Sequence, residues 1–234
     1  MAPVELTTTS RVAAELGVEC STDLQKTLLP IIRSVSATVE KFCGRKMSYK
    51  AAAVETRTGV GGPRLRLRRT PVRSLTALQY VDLDGDVVSD LTLDGLQIED
   101  IDDETGHGTS GLVYRAGGFP SSAVYLPYIT RPMKVGSERP NYRVTFAGGW
   151  VTPSQEADDE SVDLPRDLPY DIEEAVVLEV VSRYRRRGAD RDIKTERLLS
   201  GSVTYESASA RRYGMNDMSL EMLRQYRIPA DGVI

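Results

Sequence analysis

A chain of 234 residues, 40% hydrophobic and 27% charged, has the composition of a soluble globular protein long enough for one large domain or two modest ones. Its net charge of -4 excludes the basic footprint of a dedicated nucleic-acid binder, and the excess acid lies in residues 57–164, which hold 11 basic and 16 acidic side chains. No apolar run is long enough to span a membrane, and the first nine residues lack the basic start and apolar core of a signal peptide, so synthesis in the cytoplasm and no membrane partner are expected.

In chain order, Thr8, Thr9 and Ser10 offer N-caps for a short helix over 11–16 that Gly17 ends. Thr22-Asp23-Leu24-Gln25 fits a capping box, with Thr22 as the cap and Gln25 reaching back. Leu24, Leu28, Ile31, Val35, Val39 and Phe42 then recur at steps of three and four, which predicts a helix with one apolar stripe, kinked at Pro30 and closed by Gly44. Such a helix holds Cys20 and Cys43 about 30 Å apart, so both are expected as buried free thiols.

From Val54 the pattern turns to strands. Arg64-Leu65-Arg66-Leu67-Arg68 alternates strictly, which sets arginines, with Arg69 after them, against leucines on the other face. Runs at 75–81 and 87–91 flank an Asp-Gly turn and predict a hairpin, with shorter strands at 96–98, 112–115 and 124–128. Residues 99–104 and 154–163 read as acidic, solvated loops. A strand over 142–146 leads through Ala147-Gly148-Gly149-Trp150 and several prolines into a long helix over 171–187. Pro169 is placed in its first turn and Gly188 at its C-terminus. Ile172, Val176, Val180 and Tyr184 line its buried face, which Val177 and Val181 widen. Beyond it, 189–197 is polar, 202–206 could form a short strand, and Asn216 or Asp217 could cap a small helix over 220–226.

The expected fold is therefore α+β: a small antiparallel helical bundle, an inserted β-rich domain and an extended C-terminal arm. The expected divisions are 1–53 (first helical part), 54–163 (β-rich insertion), 164–190 (long helix) and 191–234 (arm). The arm, from Lys194 onward, reads as a docking element whose removal leaves a folded core.

The motifs do not assemble a reaction. Gly59-Val60-Gly61-Gly62-Pro63 lacks the Lys-Ser/Thr ending and the following helix of a phosphate loop. Asp82, Asp84 and Asp86 are followed by Val87 and Leu93 where a calcium loop needs Gly and a bidentate acid. His107, the one imidazole, has no nucleophile elbow beside it, since Gly108-Thr109-Ser110-Gly111 has the wrong spacing, and a flexible surface loop is expected there. One histidine and two distant cysteines make no zinc site of the usual kind. No catalytic residue, metal or cofactor is expected. Arg64, Arg66 and Arg68, with Arg183 and Arg186 on the long helix, remain candidates for polyanion or partner contact.

Taken together, these landmarks resemble the head–tail connector (adaptor) family of tailed bacteriophages. The resemblance lies in Leu6-Thr7-Thr8 with Glu15-Leu16-Gly17-Val18, in Phe42-Cys43-Gly44-Arg45-Lys46-Met47, and in the Leu65 to Leu75 run. It continues through Tyr142-Arg143-Val144-Thr145-Phe146-Ala147-Gly148-Gly149-Trp150, Asp171-Ile172-Glu173-Glu174-Ala175 and Gly201-Ser202-Val203-Thr204-Tyr205 to the run from Leu220 to Arg227. It spans nearly the whole chain in order; the 149–164 loop and the β region are longer than the family pattern. The resemblance implies a non-catalytic virion protein of the neck. It would form a homo-oligomeric ring, commonly twelvefold, that docks under the portal protein, extends the channel for genomic DNA and receives a stopper or tail-completion protein. It also implies that the arm, with Tyr205, Tyr213, Leu220, Leu223 and Tyr226 as anchors, binds portal or a neighbouring subunit. The alternative of another class is a DNA-binding accessory protein that uses the arginine-rich strand.

Overall fold

The computed structural model describes residues 5–59, 61–82, 85–119, 141–158, 162–187, 195–198, 201–204 and 214–228. The fold is α+β, and the chain divides into two compact units, Met1–Gly44 with Val151–Ile234, and Arg45–Trp150. No described helix is long and apolar enough to cross a membrane.

The first unit is helical. Helix α1 (Thr9–Leu16) starts where the Thr8 hydroxyl accepts from the Arg11 N–H, and it ends at Gly17, whose φ of 69° is the left-handed conformation glycine takes at no steric cost. Helix α2 (Thr22–Cys43) is capped by Ser21, not Thr22: the Ser21 hydroxyl accepts from Leu24 N–H at 3.3 Å, and Gln25 Nε2 instead donates to Cys20 Sγ. Pro30 lies inside α2 without ending it. The buried stripe is Leu28, Ile32, Val35, Val39 and Phe42. Ile32 replaces Ile31, because at 100° per residue Ile31 falls at the margin of the arc, as Leu24 does. Cys43 is a buried thiol, but Cys20 is only half-buried.

After Val151 comes α3 (Pro153–Asp158), where an acidic loop was expected; Thr152 Oγ1 accepts from Gln155 N–H and Ser154 Oγ donates to the Glu5 carbonyl. Helix α4 (Tyr170–Arg185) is the centre of the unit and packs against α1, α2 and α5 (Asp217–Leu223). Pro169 is its N-cap residue and Arg186 its C-cap, so the helix stops before Gly188, which lies outside the described residues. Its buried residues cover about two-thirds of the circumference at 100° per residue. They include Ile172, Val176, Val177, Val180 and Val181 as expected, with Ala175 and two carboxylates, Glu173 and Glu179; Tyr184 is half-buried. Helix α5 runs antiparallel to α4, since Asn216 meets Glu179 while Gln225 reaches Asp171. A 3-10 turn, Arg224–Tyr226, extends α5.

The second unit is β-rich. Strands β1 (Lys50–Thr58), β3 (Val72–Val81), β4 (Val87–Leu91) and β7 (Asn141–Gly148) form an antiparallel sheet in the order β1-β7-β3-β4. Strands β2 (Arg64–Arg66), β5 (Leu96–Ile98) and β6 (Leu112–Arg115) form a second, ordered β2-β6-β5. Period-two alternation buries Tyr142, Val144 and Phe146 of β7 and leaves Asn141, Arg143 and Thr145 half-exposed. Tyr142 is the aromatic hub: Tyr80 and Phe119 meet it edge-on at 6.1 and 5.2 Å between ring centroids. Leu65 and Leu67 enter the same core.

Two further strands, β8 (Thr195–Leu198) and β9 (Gly201–Thr204), pair as an antiparallel hairpin between α4 and α5. Residues 195–197 thus form a strand where a polar stretch was expected. The strand expected at 124–128 lies outside the described residues.

Candidate docking surfaces

The C-terminal helix is not a loose arm. Glu179 on α4 is fully buried, and its Oε2 accepts from both the backbone N–H and the side-chain Nδ2 of Asn216 at 3.1 Å each. Its Oε1 accepts from Arg183 Nε at 2.9 Å. Arg183 then spans outward, donating to Ser34 Oγ of α2 and to the Gly214 carbonyl, both at 3.3 Å. Asn216 also caps α5 by accepting from Ser219 N–H at 2.7 Å. One carboxylate therefore fixes the start of α5, the last turn of α4 and, through Arg183, the middle of α2. A buried carboxylate is tolerated where its oxygens are this fully matched.

Further bonds continue the seam. Ser219 Oγ donates to the Ala175 carbonyl, Gln225 Nε2 to Asp171 Oδ2 at 2.9 Å, and Ile228 N–H to the Cys43 carbonyl at 2.9 Å. Met215 and Leu223 are fully buried and Leu220 nearly so. Leu220 and Leu223, expected as docking anchors, are thus core residues of their own unit, because the seam turns their side of α5 inward. For the same reason, removing everything from Lys194 onward would not leave an intact core. Tyr226 is half-buried, its hydroxyl 3.5 Å from Asp171 Oδ2. Tyr205 and Tyr213 lie outside the described residues.

At the other end of α4, Glu173 receives Thr7 Oγ1 at 3.0 Å and the Arg166 guanidinium, while Arg11 pairs with Glu174 at 3.0 Å. The acids in the first turn complement the helix dipole and at the same time hold the N-terminal segment. Tyr170, stacked under Arg166, is 77% exposed, and Met218 on α5 is 62% exposed.

The arginine strand does not present a uniform basic face. Arg64 pairs with Glu99 at 2.8 Å. Arg69 is buried, its guanidinium donating to the Ser48 carbonyl and to Ser48 Oγ. The backbone N–H groups of Arg68 and Arg69 both donate to the Glu55 carboxylate, which also pairs with Arg57 at 2.7 Å. A carboxylate therefore answers Arg64 and Ser48 takes Arg69 inward, while the two strand-face candidates Arg66 and Arg68 are half-exposed and exposed, respectively. Arg186, at the end of α4, is exposed, and Arg183 belongs to the buried seam.

The His107 loop is held rather than loose. Asp102 Oδ1 accepts from the N–H groups of Glu104 and Thr105 and from Thr105 Oγ1, which keeps that carboxyl below its ordinary pKa. Gly108 exchanges both backbone bonds with Val72 at 2.8 Å. His107 Nε2 faces Arg73 Nη1 at 3.4 Å, and Ser110 Oγ accepts from Leu112 N–H, so the two side chains do not form a nucleophile–base pair. No group of three or more potential metal ligands occurs among the described residues.

No family model matches the sequence, and no curated protein matches it. Solved structures do. The fold is similar to a chain of the neck of an empty gene transfer agent particle computed with C6 symmetry. That match has a TM-score of 0.55 and 16% identity, and covers 97% of this chain and 92% of that one. A chain of the virion of a native gene transfer agent particle matches at TM-score 0.54 and 16% identity, over 95% of this chain and 89% of that one. At this identity the likeness establishes a shared fold across nearly the full length of both chains.

Proposed function

We propose that this chain is a structural virion protein of a neck: a ring-forming head-to-tail adaptor. It docks under the portal protein, extends the DNA channel and offers the attachment surface for a stopper or tail-completion protein. The observation that carries this reading is the end-to-end match in fold to a neck chain of a gene transfer agent particle. The ordered resemblance of the sequence to the connector family points the same way. The role is assembly, not catalysis, and it needs no cofactor.

The charge distribution fits such a role. A ring multiplies whatever each copy carries, so a chain of net charge -4 yields a strongly acidic assembly. An acidic lumen repels the DNA backbone and forgoes the counterion release that makes basic channels adhesive, so genomic DNA passes without sequence recognition.

Docking to portal is assigned to the excursion between α4 and α5, which contains the β8–β9 hairpin, Tyr205 and Tyr213. Its return end lies beside the last turn of α4, because Arg183 Nη2 donates to the Gly214 carbonyl at 3.3 Å. The excursion is therefore replaceable by a short Gly-Ser linker across 188–213 without disturbing the seam. The excised protein is expected to fold and to fail to join portal-bearing capsids. Normal joining by the excised protein would remove the docking assignment.

A further inference from the structure

We infer that adjacent copies of this chain meet through two different helical surfaces of the first unit: the Met218–Met222–Tyr226 side of the C-terminal helix on one copy and the solvent side of α2 on the next. The inference rests on the ring reading and specifies the contact that would build it.

The first surface follows from how α5 is seated. Ser219, Leu220 and Leu223 face inward. Met218 and Met222, four residues apart, are left outward at 62% exposed and half-buried, and Tyr226 continues the line on the 3-10 turn. Asp171, next in sequence to the exposed Tyr170, holds both Gln225 and Tyr226. Methionine and tyrosine in a row are the residue types that interfaces favour, because a thioether adapts its shape and a phenol adds apolar area with a polar tip. Asp217 and Glu221 border the line, both exposed.

The second surface has the complementary character. Lys26, Pro30, Arg33, Ala37 and Lys41 recur at steps of three and four along α2, and all five are exposed. Pro30 and Ala37 are short and leave room for methionine side chains, while cations of this face meet the acids that border α5. Two of the pairs these charges already make are solvent-exposed, Lys26–Asp23 at 72% and 94% and Glu221–Arg224 at 67% and 68%, whereas Arg33 is held by the largely buried Glu5 at 2.9 Å, which leaves Lys26 and Lys41 as the cations for the acids of α5. Solvent-exposed pairs are weak and readily exchanged. Because the apolar knobs and the cationic, short-side-chain face sit on the same chain, a second copy is the occupant that matches both. Two unlike surfaces join head to tail and close into a ring, whereas a self-matching patch stops at a dimer.

The test uses the full chain with Cys20→Ser, since Cys43 is fully buried. Met218→Cys combined with Ala37→Cys, oxidised with diamide, is expected to give a ladder of covalent oligomers beyond the dimer, with neither single variant doing so. Met218→Asp, with an unchanged circular dichroism spectrum, is expected to weaken self-association about tenfold in sedimentation. Oligomers that form without a 37–218 ladder would overturn this pairing and leave the ring reading standing. Dimers from Met218→Cys alone, or its cross-linking to a different protein in assembled particles, would likewise overturn it. A wild-type chain that stays monomeric at about millimolar concentration would overturn both readings.

Discussion

Glu179 and Asn216 are joined by two hydrogen bonds of 3.1 Å that share one carboxylate oxygen of the fully buried Glu179. That pair is the reason the chain's end belongs to its core. Asn216 is at once the N-cap of α5 and the ligand of α4, so helix initiation and tertiary docking are one event.

Truncating Glu179 to Ala would leave the two Asn216 N–H groups without their shared acceptor, while Arg183 keeps Ser34 and the Gly214 carbonyl. A donor left unsatisfied in a buried site costs about 1–3 kcal/mol, and a loss of that size is expected in urea denaturation. Glu179→Gln, which keeps an acceptor for Asn216, should lose distinctly less. Equal small losses, below about 1 kcal/mol for both variants, would show that the seam is dispensable.

Stopping the chain after residue 213 removes three buried apolar side chains, Met215, Leu220 and Leu223. Each contributes about 1.5–3 kcal/mol by burial, and their sum rivals the whole stability of an ordinary domain. The truncated protein is expected to aggregate or to bind a hydrophobic dye, while the 188–213 excision unfolds as cooperatively as the parent. Near-native melting of the truncation would contradict the core assignment of α5.

The helices were legible in the sequence wherever a local signal set them: Gly17 and Gly44 adopt the left-handed conformation that ends α1 and α2. Gly85, bonded to the Asp82 carbonyl, likewise lies between the paired strands β3 and β4, and Leu65 and Leu67 take the inward side of their alternation. What stayed hidden was set by partners distant in sequence. Nothing in the α4 periodicity marks Glu179 as buried, because an acid within an apolar helix reads as solvent-facing until Asn216 arrives from 37 residues away. Arg69 follows three exposed or half-exposed arginines yet turns inward, because Ser48 and Glu55 supply its acceptors. Strand β8 has no alternation of its own and is defined by pairing with β9. The docking site suffers most from this, since the residues that looked like anchors, Leu220 and Leu223, are apolar for a different reason.

Gly149 tests the β-rich unit. Its φ is 93°, and a Cβ there would stand 2.3 Å from the Ser48 carbonyl oxygen and 2.9 Å from that of Met47. Gly149→Ala therefore combines backbone strain of about 1–3 kcal/mol with a clash against backbone that has no room to move. Gly17 is the control: its φ is 69°, with nothing within 4 Å of an added Cβ, so Gly17→Ala bears the conformational cost alone. Chemical denaturation should rank Gly149→Ala as clearly the more damaging; the reverse order would mean that the Ser48 backbone yields.

Tyr142 makes the alkaline limb of stability predictable. Burial between Tyr80 and Phe119 disfavours the phenolate and pushes its pKa up to about 12 from 10.0. Because the folded-state value is the higher one, the unfolded chain ionises first. The neutral ring's contribution is complete below pH 10 and is lost as pH rises from there through about 12. Tyr142→Phe removes that proton linkage while keeping the ring in the core, so its stability should fall less steeply than the parent's across this window. Urea midpoints measured at successive pH values check it, and parallel curves for the two proteins would show that Tyr142 ionises as freely in the fold as out of it.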